Sequence, residues 1–102
     1  MTKNIYDMEA FIIKLNSHGS HLGSRLHARD ILSSLKVDLS ESESVVVDFE
    51  GVKQTTLSFC TEIFDTLYNT NKVVETINEN TFTKSVTDFC KNNIQKKNLE
   101  HA

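Results

Sequence analysis

Three hydroxyl side chains, Thr55, Thr56 and Ser58, stand together between a valine run and a regular apolar stripe. A helix starting there needs only one of them, since a single hydroxyl can accept a bond from a first-turn amide. Thr55 or Thr56 serves that purpose. Ser58 is then the hydroxyl open to covalent chemistry. A phosphate in a first helical turn meets free amides and the positive end of the helix dipole. It would also add roughly −1.5 to −2 charges to an exposed binding face. The plainer reading makes Ser58 a first-turn hydroxyl that backs the cap.

Other side chains invite chemistry less strongly. Arg25 and Arg29 sit one turn apart, and guanidinium forks suit a phosphate or a partner's carboxylate. An arginine in a first turn opposes the helix dipole, although its stem can cover the core edge. Asp48 is the lone charge in an apolar run, placed to orient a hydroxyl or to accept loop amides at a strand end. His18 and His21 lie in a glycine loop without a neighbouring cysteine, and no HExxH spacing occurs, so no metal site is expected. Cys60 and Cys90 fall on apolar stripes and read as reduced, buried thiols. No histidine is spaced to activate Cys60 as a nucleophile.

The elements that must carry these residues follow from periodicity. "AFIIKL" (10–15) reads as a strand, paired in one reading with a preceding "NIYDM" strand. A glycine–serine loop leads to a helix with Ala28, Ile31, Leu32 and Leu35 at helical spacing, capped by Ser24. "DLSESES" (38–44) reads as an exposed acidic loop. "VVVDF" (45–49) is apolar on both faces except Asp48, the pattern of an interior strand covered on both sides. Gly51 permits a turn, with Val52 tucked back. Cys60, Ile63, Phe64, Leu67 and Tyr68 mark the clearest amphipathic helix. "KVVETI" (72–77) gives a short strand. Phe82, Val86, Phe89 and Cys90 mark a last helix, capped by Asn80 or Thr81, whose stripe fades after Ile94 into a frayed polar tail over 95–102. The order strand–helix–strand–helix–strand–helix predicts an α/β fold: a small mixed, largely parallel sheet of about four strands with three helices.

Composition bounds the function. At 102 residues and 38% hydrophobic, the chain suits one domain, 1–102, with its core over about 10–90. A formal charge of −3 gives no reason to expect nucleic acid as a partner. No apolar run approaches the roughly 20 residues that span a bilayer, and the N-terminus does not read as a signal peptide. The expectation is a cytoplasmic protein with no membrane partner and no cofactor.

The stretch "VVVDFEGVKQTTLSFCTEIFDTLY" resembles the central segment of STAS domains, which occur in sulphate transporters and anti-sigma-factor antagonists. The chain is still more similar to a divergent STAS-like family of unknown function. It shares a "G…SR…AR" helix start (Gly23, Ser24, Arg25, Ala28, Arg29), a "DFEGV" strand end and an "SF…E" helix start (Ser58, Phe59, Glu62). The resemblance implies a STAS-like fold and a small regulatory module that binds another protein. In the antagonists a GHKL-type kinase phosphorylates a serine at this helix start, and Ser58 occupies that position here. The turn itself differs: "TTLSF" stands where the antagonists carry "DSSG". The expected partner is therefore a protein, with a GHKL-type ATPase or kinase as the specific candidate. Partner-facing candidates are Arg25, Arg29, Asp48, Thr55, Thr56 and Glu62. The alternative is a binding or inhibitory protein of the same fold without a covalent switch. A small enzyme is disfavoured, because no nucleophile–base set or phosphate loop is legible.

Overall fold

Branched and aromatic side chains draw "AFIIK" into an extended strand, β1 (Ala10–Lys14). The computed structural model describes residues 10–70 and 72–100, with side chains up to Ile94. The strand expected over residues 4–8 lies outside these. β1 pairs in parallel with β3 (Ser44–Asp48), which pairs in parallel with β5 (Val73–Ile77), giving the order β1-β3-β5. A second, two-residue ladder joins β2 (His21–Leu22) to β4 (Gln54–Thr55), also in parallel. Parallel neighbours need crossovers, and helices supply them. These are α1 (Arg25–Ser34) with the short α2 (Lys36–Ser40), and α3 (Leu57–Asn69), while α4 (Thr81–Glu100) follows the last strand. The largely parallel α/β architecture is as expected, with its strands divided between two sheets and one helix more than periodicity indicated.

Period-two alternation decides which sheet face is covered. Ile13, Val45 and Val47 are buried and join Ile31, Phe59, Ile63 and Phe64 of the helices in one core. Among the described residues no element covers the other face, which corrects the expectation of a strand covered on both sides. In register across it lie Ile12, Val46 and Glu75, and Ile12 remains 50% exposed and Val73 56% exposed. An all-apolar "VVV" cannot reveal this, because nothing in the run distinguishes its faces.

Local chemistry sets the helix limits. Ser24 Oγ accepts a bond from His27 N (2.9 Å) at the start of α1. Asn80 and Thr83 cap α4 reciprocally: Thr83 N donates to Asn80 Oδ1 (2.7 Å), while Asn80 N donates to Thr83 Oγ1 (2.9 Å). Gly51 turns the chain with a φ of +82°, where a side chain would collide with Asn16, and Val52 tucks back into the core.

Two further expectations are corrected. The segment from Asp38 is not wholly an exposed loop, because α2 occupies Lys36–Ser40 and buries Leu39. The inward stripe of α4 is Thr83, Thr87, Cys90 and Ile94, whereas Phe82 (49%) and Phe89 (55%) face outward. Threonines can take core positions here because their hydroxyls return to the backbone, Thr83 to Asn80 O and Thr87 to Lys84 O. The backbone of α4 stays helical to Glu100, beyond the point where the apolar stripe ends.

Candidate functional site

The β2–β4 ladder delivers two helix starts side by side. His21 pairs with Gln54 and Leu22 with Thr55, so Ser24 and Thr56 then cap α1 and α3 on one rim. The three hydroxyls divide the work between them. Thr55 is buried, its hydroxyl donating to Leu22 O (2.8 Å), so it ties the rim together and leaves a partner little surface. This burial weighs against the expected partner contact at Thr55. Thr56 accepts from Phe59 N (3.2 Å) and donates to Gly23 O (2.7 Å), capping one helix while holding the loop before the other. Ser58 is exposed in the first turn of α3.

The rim also unites both sequence motifs. Glu62, one turn beyond Ser58, accepts from Arg29 Nε (3.1 Å) and Arg25 Nη1 (3.4 Å) across the α1–α3 seam. Both arginines remain more than half exposed while Glu62 is largely covered. A carboxylate shared by two guanidinium groups answers why arginines occupy the start of α1: their partner lies on the neighbouring helix.

Asp48 is not brought to this rim. It is buried at the end of β3, where Oδ1 accepts from Asn78 Nδ2 (3.0 Å) and Glu50 N (2.9 Å). These bonds, led by Asn78, hold its carboxyl below the ordinary value of 3.8, against the opposing effect of burial. As with Thr55, its burial weighs against the expected partner contact. Asn78 itself has a φ of +62°, a conformation asparagine tolerates, and that bend aims its amide at Asp48.

Cys60 and Cys90 are free and buried. Burial pushes the Cys60 thiol up to about 12 and raises Cys90 too, the opposite of an activated nucleophile. The His27 ring packs edge-on to Phe59 at 6.1 Å, and His21 Nδ1 lies 3.0 Å from Ser20 Oγ. Beside the rim is a cavity of about 310 Å³ whose wall includes His21, Gly23, Gln54, Thr56 and Phe82. Periodicity places Phe82 in the core. Only the buried threonine at 83, one position on, could have signalled that the stripe is turned.

A parallel sheet with one open face and two capped helix starts on one rim defines a small α/β module with an exposed polar corner. The chain belongs to the STAS-like domains of unknown function (DUF4325), whose family model matches residues 27–96. The match includes Arg29, Thr56, Ser58 and Glu62, while Arg25 lies just before it. No match is found among curated proteins or among solved structures. Among the described residues no helix is long and apolar enough to cross a membrane.

Proposed function

We propose that this chain is a non-catalytic regulatory module that binds another protein through the Ser58 rim, and that phosphorylation of Ser58 by a GHKL-type kinase switches it. The reading is carried by one observation: exposed Ser58 precedes, by one turn, the carboxylate that Arg25 and Arg29 share. Residues four apart lie on one helical face. A phosphate on Ser58 would repel Glu62, attract the two arginines and gain from the first-turn amides. A partner would meet a dianion and a freed carboxylate in place of a hydroxyl and a closed ion pair.

Incubation with ATP and a GHKL-type kinase from the native host, read by intact mass, should add one phosphate to the wild type and none to Ser58→Ala. A mass gain that survives Ser58→Ala would overturn the site. The rival reading, an unswitched binder, draws on the exposure of Arg25 and Arg29. It takes over if no phosphate is added but a captured partner is lost on Arg25→Ala/Arg29→Ala.

A further inference from the structure

α1 and α3 run together from the rim, and at their far ends they enclose a second cavity of about 480 Å³. Leu32, Leu39 and Leu67 floor it, one from each of α1, α2 and α3. Lys36, Lys72 and Thr66 are also in its wall. The volume falls within the range of small-molecule sites, and an apolar floor with a few polar groups is their usual construction. Lys36 and Lys72 contribute two ammonium groups to its wall, while Asp38, Glu41 and Glu43 follow Lys36 along the same segment of chain.

Helix C-termini ordinarily repel anions, and here several of the terminal carbonyls are already hydrogen-bonded. Leu67 O accepts from both Thr70 N (3.3 Å) and Thr70 Oγ1 (2.8 Å), and Leu32 O accepts from Leu35 N (3.2 Å). Lys72 Nζ donates to Ser42 O at 2.5 Å, which fixes one positive charge at the opening. Lys36 is exposed and also lines the cavity.

We propose that this cleft binds a small amphipathic carboxylate, its aliphatic chain on the three leucines and its head group between Lys36 and Lys72. A purely polar anion would leave the leucine floor unused, and an aliphatic amine would face like charge. The site lies at the opposite end of α1 and α3 from Ser58, so it does not depend on the phosphorylation reading.

Calorimetric titration of the full chain with sodium octanoate tests it, with octylammonium as the matched cation. Octanoate should bind with a negative heat-capacity change, the mark of apolar burial, and about tenfold more tightly than octylammonium. Reversing the exposed charge with Lys36→Glu should weaken octanoate about tenfold without moving the melting temperature. Thr66→Trp, which fills the cleft, should abolish binding. Absence of octanoate binding, equal binding of the cation, or an unchanged affinity in Lys36→Glu would each overturn the proposal. The lysine variant decides alone if the tryptophan variant fails to fold.

Discussion

Adjacent threonines reach opposite fates at the rim because hydrogen-bond partners decide which of them is spent. Thr55 donates to Leu22 O, Thr56 caps α3 and ties down Gly23, and Ser58 is left facing water. Single titratable groups likewise set the limits of stability. Asp48 titrates below 3.8 when folded, so its contribution is present above that value and is lost as pH falls through the folded pKa. Asp48→Asn should therefore cost about 1 kcal/mol at neutral pH, and urea titrations should show the gap closing below pH 3.8. A gap that stays constant with pH would contradict this. Cys60 has the opposite sign: its thiol is held neutral up to about 12 against an ordinary 9.0. Stability should fall as pH rises above 9, and thiolate absorbance appearing near 9 in the folded protein would refute the burial argument.

Elements were legible wherever a stripe was unambiguous. α3 has Cys60, Ile63, Phe64 and Leu67 buried, as its spacing implies, with Tyr68 half-buried and Phe59 buried besides, and Thr56 caps it. α4 was legible as a helix but only partly in phase. Of the stripe that hydrophobicity selects, Phe82, Val86, Phe89 and Cys90, Cys90 is buried and Val86 packs on the core, but Phe82 and Phe89 face outward while Thr83 and Thr87 take their places. Contact with α3 and self-satisfied threonine hydroxyls select that phase. β1 offers a direct test of which face is covered. Ile13→Ala should cost about 2–4 kcal/mol by opening a cavity in the core, while Ile12→Ala should cost less than about 1. Denaturant unfolding of both variants measures the difference; equal losses would mean that something covers the open face.

At the scale of the whole molecule, one strand holds the assembly together. Among the described residues β3 is bonded on both sides, whereas β1 and β5 each pair once in this sheet. Hydrogen exchange of the native protein should find the slowest amides at Val45–Val47, and faster exchange there than in β5 would contradict the topology. Parallel sheets are usually covered on both faces, so the open face of Ile12, Val46 and Val73 is the feature least predictable from strand composition. By itself the sequence determined the local matters: the main alternation of strands and helices, the cap at Ser24, a threonine cap at 55 or 56, the central valine strand and the helix start carrying Ser58. Each depends on residues within a few positions of one another. Tertiary structure alone decided that Glu62 would meet Arg25 and Arg29, that Asn78 would cover Asp48, that Thr55 would turn inward, and which stripe of α4 would be buried. Those outcomes depend on neighbours some thirty residues away in the chain, brought close only by the crossovers and the parallel register, and no local periodicity encodes them.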